Sequence, residues 1–273
     1  MSISASDVMK LRKATGAGMM DCKKALTETD GDFDAAVQII REKGKAIANK
    51  RADREASEGV ALAKVNGNKA GILVFNCETD FVAKNEGFVD LTAKMLDTAL
   101  ASEAKTLDEV KALKMDDGRT IDEHVTEQTG IIGEKLELGY FDIIEAASVV
   151  AYIHPGNKLA TIAGFNKPNV DEQMAKDVAM QIAAMNPVAV DKDGVPEKIA
   201  QQELEIAKEK YRQEGKPENM LDKIAQGALN KFFKENTLLN QAFVKDNKQT
   251  ILQYLQTADK DLTVAEFKRY SLD

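Results

Sequence analysis

The chain has 273 residues, with 37 Lys and Arg against 45 Asp and Glu, for a net charge of −8. That length allows two domains and a sizeable buried core. The acidic balance argues against a broad nucleic-acid surface, which needs clustered cations to displace phosphate counterions. Two cysteines, Cys22 and Cys77, make no disulfide framework, and two histidines, His124 and His154, fall in no zinc-binding spacing. The sequence contains no Gly-rich phosphate loop, no nucleophile elbow and no tryptophan for a stacking platform. No stretch approaches the roughly 18 apolar residues of a membrane span. Lys10, Arg12 and Lys13 arrive too early for an apolar leader. The expectation is an acidic cytoplasmic protein with no catalytic kit, no cofactor, no metal and no membrane contact.

Residues 1–45 predict three short helices. Ser4 stands three before Asp7, a capping-box start, and Val8 and Leu11 share a face that Gly16 stops. Cys22, Ala25 and Leu26 form the second face. Asp30-Gly31-Asp32 makes a capped turn, Phe33, Ala36, Val37 and Ile40 form the third face, and Gly44 ends that helix. Residues 46–58, including Lys50, Arg51 and Arg54, have mixed charge and read as a solvated, partly helical linker.

From Val60 the period changes to two. Asn66-Gly67 marks a hairpin in which both central positions need positive φ. Ile72 to Phe75 is continuously apolar, a strand buried on both faces. A helix then begins near Glu86, with Phe88, Leu91, Met95, Leu96 and Ala99 on one side. Helical patterns cover about 107–113 and 120–133, and Leu136, Leu138 and Tyr140 alternate as a strand. A second hairpin spans 148–153 and 159–165 around Pro155-Gly156-Asn157, followed by a helix over 170–185 closed by Pro187. Phe75-Asn76 and Phe165-Asn166 end the two return strands alike, a weak internal repeat. Residues 196–234 read as a helical hairpin with its corner at Gly215-Lys216-Pro217. A short helix near 248–256 and a strand over 262–269 complete the chain.

Two segments carry a resemblance. They are Thr15-Gly16-Ala17-Gly18-Met19-Met20-Asp21-Cys22-Lys23-Lys24-Ala25-Leu26 and Thr79-Asp80-Phe81-Val82-Ala83-Lys84-Asn85. Both strongly resemble the bacterial elongation factor Ts family, exchange factors for the translational GTPase elongation factor Tu. The order of elements also agrees over essentially the whole chain, in layout more than in residues after about Asn186. The resemblance implies an α+β fold. Its parts are a UBA-like helical module at 1–45, a linker at 46–58, and core subdomains at 59–140 and 141–273. The second subdomain carries the helical hairpin at about 196–234. It further implies that Arg12, Met19 and Met20 dock on the partner's G domain. Thr79, Asp80, Phe81, Val82 and Ala83 would intrude beside the partner's Mg²⁺ and phosphates. His154 is a further candidate contact. A homodimer within a two-to-two complex stays open, and no direct nucleic-acid contact is implied.

The residues themselves leave alternatives. Thr15 to Leu26 is also a plain helix–turn–helix corner with two glycines. Adjacent Met19 and Met20 cannot both face one helical stripe, so at least one is exposed. Thr79 to Asn85 is also an ordinary turn that caps the next helix, and Phe81 within it either folds back on the core or points out as an anchor. Cys22 and Cys77 read as buried small hydrophobes and His124 as a surface residue. An enzyme using Cys22 or Cys77 with Asp80 lacks a histidine, metal or phosphate-loop partner. A generic peptide-binding module leaves the Asp80-Phe81 turn without a purpose.

Overall fold

A computed structural model describes residues 3–272. They form two compact units, one holding residues 3–62, 73–142 and 272, the other 63–72 and 143–271. The architecture is the α+β one expected, with small antiparallel sheets and an N-terminal helical module.

In the first unit, α1 (Ala5–Thr15) opens on the expected capping box between Ser4 and Asp7. It ends at Gly16, whose φ of 72° is the left-handed conformation that glycine adopts without penalty. Helices α2 (Met19–Glu28) and α3 (Phe33–Arg51) close a small core of Val8, Leu11, Cys22, Ala25, Leu26, Ala36 and Ile40. Gly44 does not end α3. It lies buried within the helix, which continues through six residues of the expected linker to Arg51. The reason is tertiary. A Cβ built at Gly130 of α7 (Ile121–Ile132) would stand 2.3 Å from Gly44 Cα, so the two backbones touch at this crossing. A mid-helix glycine costs about 1 kcal/mol, and close backbone approach offsets it.

Strands β1 (Glu58–Asn66), β2 (Lys69–Cys77) and β3 (Glu137–Glu145) form one sheet in that order. The first hairpin turns on Gly67-Asn68, with Asn66 still in the strand, and only Gly67 of these has positive φ. The turn thus lies one residue later than Asn66-Gly67 predicts. Buried β2 carries Phe75 and Cys77 to the short α4 (Asp80–Ala83) and to α5 (Glu86–Leu100). Helices α6 (Leu107–Ala112) and α7 each start on a Thr–Glu capping box, Thr106 with Glu109 and Thr120 with Glu123.

In the second unit, β4 (Ser148–Ile153), β5 (Leu159–Phe165) and β8 (Val264–Ser271) pair antiparallel in the order β4-β5-β8. Helix α8 (Glu172–Met185) brings Met174, Val178 and Ile182 into a core with Phe165, Leu238, Ile251, Leu255 and Leu262. Met185, the last residue of the helix, is 44% exposed. Helices α9 (Glu197–Gln213) and α10 (Glu218–Asn236) make the hairpin, turning at Gly215 with φ 78°. A small ribbon, β6 (Ala242–Phe243) and β7 (Asp246–Thr250), precedes α11 (Ile251–Gln256). Residues 248–250 therefore belong to a strand and not to the expected helix, because the Thr250 hydroxyl caps α11 by accepting from the Gln253 N–H.

Candidate functional site

The chain leaves β2 at Cys77 and enters α4 through Thr79, the N-cap, whose hydroxyl oxygen accepts from the Val82 N–H at 3.5 Å. The Ala83 and Lys84 N–H groups donate to Thr79 O and Asp80 O, closing the single turn. Asn85 then caps α5, its Oδ1 accepting from the Gly87 and Phe88 N–H groups at 2.9 and 3.3 Å. Beneath the turn, Phe75 and Phe88 stack with ring centroids 4.4 Å apart. The turn is thus capped at both ends and based on a buried aromatic pair.

Phe81 does not join that pair. It is 83% exposed, although Ala83 two residues on is buried. The structure therefore decides between the two alternatives left by the sequence: the aromatic points out. Val82 is half-buried, and Asp80 pairs with Lys84 one turn later at 2.6 Å. An aromatic held in water on a backbone already fixed by hydrogen bonds needs little further backbone ordering when it is covered, which favours its use as an anchor.

A second segment holds this turn. The Glu78 and Thr79 N–H groups donate to Glu134 Oε2 at 3.1 and 3.0 Å, and the Thr79 hydroxyl donates to Glu134 Oε1 at 2.7 Å. Glu78 Oε1 in turn accepts from the Lys135 N–H at 2.6 Å and from Arg51 Nη1 at 2.7 Å. The Lys135 amide, seconded by Arg51, holds the Glu78 carboxyl below its usual value. Sequence reasoning missed Glu134, Lys135 and this use of Arg51. The only local hint was Gly133 ending α7 just before them.

The other candidate residues lie elsewhere. Arg12 is exposed on α1, and Met19 and Met20 are 41% and 78% exposed at the start of α2. Both methionines therefore face outward. Their corner is fixed by the Thr15 hydroxyl donating to Leu11 O at 2.8 Å and by Gly16, where a Cβ would lie 3.3 Å from Ile131 Cδ1. His154 is exposed in the second unit, beside a turn in which Gly156 and Asn157 have positive φ, with the Tyr152 hydroxyl 3.0 Å from its Nδ1.

Two expectations about single residues have different outcomes. Cys22 and Cys77 are fully buried, and burial, with Glu134 nearby, pushes the Cys77 thiol up to about 12. His124, expected at the surface, is 9% exposed with Nε2 3.1 Å from Asp117 Oδ1. Its neighbours Asp122 and Glu123 occupy the outer side of the first turn of α7, while His124 shares the inner side with Ile121 and Val125. Among the described residues, no group of three or more His, Cys, Asp and Glu is placed to hold a metal, and no helix is long and apolar enough to cross a membrane.

Residues 78–273 match the family model described as Elongation factor TS. A protein named elongation factor Ts from Porphyromonas gingivalis is 55% identical over 273 residues, covering 100% of this chain and 99% of the relative. The chain belongs to the elongation factor Ts family. Its members in Christiangramia forsetii and Bacteroides fragilis are 53% and 45% identical, with 98% or more of each chain covered. The chain is thus of the translation elongation factors, and the elongation factor Ts model begins at Glu78, the first residue of the clamped turn.

Proposed function

We propose that this chain is a guanine nucleotide exchange factor for elongation factor Tu in the cytoplasm, and that it performs no bond chemistry of its own. The observation that carries the reading is Phe81, 83% exposed on a turn whose backbone is tied down. Mg²⁺ bridges and neutralises nucleotide phosphates in such GTPases, and it demands near-ideal octahedral geometry. An aromatic driven in beside that site displaces the ligands that hold the ion, and the nucleotide loses much of its hold. Asp80, paired with Lys84, keeps the turn's shape and brings a negative charge next to the phosphates. Arg12, Met19 and Met20 supply a second contact on the G domain, where unbranched thioethers adapt to the partner's surface. His154 is a third, in the second unit.

Exchange then follows from linkage. The factor lowers nucleotide affinity, and nucleotide lowers the factor's affinity by the same ratio. The competing reading, a cysteine enzyme, is disfavoured by two fully buried thiols, one of them held protonated. The test is stopped-flow release of fluorescent GDP from elongation factor Tu at fixed Mg²⁺. Release that accelerates with factor concentration supports the reading, and an unchanged rate with both proteins folded rejects it.

A further inference from the structure

The exchange turn does not stand on its own strand alone. It is locked to the segment after α7 by two carboxylates that each bond the other segment's backbone. Glu134 takes the Glu78 and Thr79 N–H groups and the Thr79 hydroxyl. Glu78 takes the Lys135 N–H. Neither pattern is available to a turn that only caps the next helix, since capping α4 and α5 is already done by Thr79 and Asn85. An ionised carboxylate accepting several donors makes stronger and shorter bonds than a neutral group.

The same stretch of chain reaches the N-terminal module. Gly130 meets Gly44 of α3, and Ile131 packs at Gly16, just before the two exposed methionines. Arg51, at the end of α3, bonds Glu78. Gly130 to Lys135 therefore touches both the base of the Phe81 turn and the corner carrying Met19 and Met20.

We infer that Glu134 is a positioning residue for nucleotide exchange, holding the Thr79–Ala83 turn so that Phe81 is presented in one orientation. The inference rests on the exchange reading and says which side chain outside the turn makes it effective. Glu134 touches neither nucleotide nor Mg²⁺ in this account. It acts through Phe81, so its effect depends on Phe81 being present. A role in general stability carries no such dependence.

The experiment is a saturation series of fluorescent-GDP release from elongation factor Tu with the full-length wild type, Glu134→Ala, Phe81→Ala and the double variant. Glu134→Ala is expected to lower the saturating release rate by roughly tenfold, as for the loss of a charged hydrogen-bond acceptor, with the half-saturating concentration changed much less. In the Phe81→Ala background the same substitution should cost almost nothing. Glu134→Gln keeps one carbonyl oxygen for the two N–H donors and turns its NH₂ toward the Thr79 hydroxyl oxygen, but it loses the negative charge, so it should fall between. Should Glu134→Ala fail to fold, Glu134→Gln carries the same double-variant comparison. A wild-type rate for Glu134→Ala, or an equal loss with and without Phe81, overturns the inference while exchange itself stands. No acceleration by the wild type rejects both, which is a different result.

Discussion

The two return strands end alike and then diverge. Phe75 and Phe165 are both fully buried, and each is followed by an asparagine that bonds neighbouring backbone. Asn76 donates to Glu58 O at 3.3 Å, while Asn166 donates to Asp261 O at 2.8 Å and accepts from the Thr263 N–H at 2.9 Å. Beyond that point the first return is fastened by a carboxylate, Glu134, gripping its amides, and it leaves an aromatic in water. The second is fastened by a lysine, Lys167, to Asp259, and its exposed positions are Asn166, Pro168 and Asn169. The same strand ending thus serves two purposes. Gripping the amides fixes the turn and leaves the Phe81 ring in water. The Lys167–Asp259 pair instead ties the second return, side chain to side chain, to the segment before β8.

Substitutions at matched positions can break this contrast. Phe165→Ala should destabilise the protein by about 3–5 kcal/mol in denaturant unfolding, because the ring is fully buried among Met174, Val178 and Leu238. The folded fraction should still exchange nucleotide. Phe81→Ala should do the reverse, lowering the exchange rate by on the order of tenfold or more and changing stability by less than about 0.5 kcal/mol. A melting-temperature drop in Phe81→Ala comparable to that of Phe165→Ala would end the distinction. Asn166→Ala should cost about 1 kcal/mol and leave exchange untouched, since its two bonds only join the end of β5 to the start of β8. Equal losses of stability and activity there would show that the second return also presents a contact.

The smallest effect is a titration. The Lys135 N–H, then Arg51, holds the Glu78 carboxyl below its ordinary value of 4.5. The folded value is depressed, so the stabilisation is present above 4.5 and fades as pH falls through the lowered midpoint. The Lys135 amide resonance should titrate with a midpoint under 4.5, and a midpoint at or above it would mean that the bond does not form in solution.

Local chemistry made much of this readable. Ser148–Ile153 and Leu159–Phe165 fall where the alternation and the Pro155-Gly156-Asn157 turn predict them, because strand period and turn residues act over a few positions. The capping box at Ser4 and the adjacent pair Met19-Met20 are equally local. The turn at Thr79 was legible as well, along with the oddity of an aromatic in it. Its direction was not, because burial of Phe81 depends on what Phe75 and Phe88 have already filled.

The order of elements, the inner faces of most helices and the segments that carry the family resemblance can all be read from local pattern. Tertiary structure alone decided the rest. Gly44 stops a helix or crosses one depending on whether Gly130 faces it. His124 is a surface or a buried residue depending on Asp117 and the inner side of α7. Glu134 acquires its role only by meeting Thr79, 55 residues earlier in the chain. Periodicity and propensity report a residue's own turn of helix or pair of strands. The partner that closes a hydrogen bond or a backbone crossing is fixed only when distant segments pack, and no pattern within either segment encodes it.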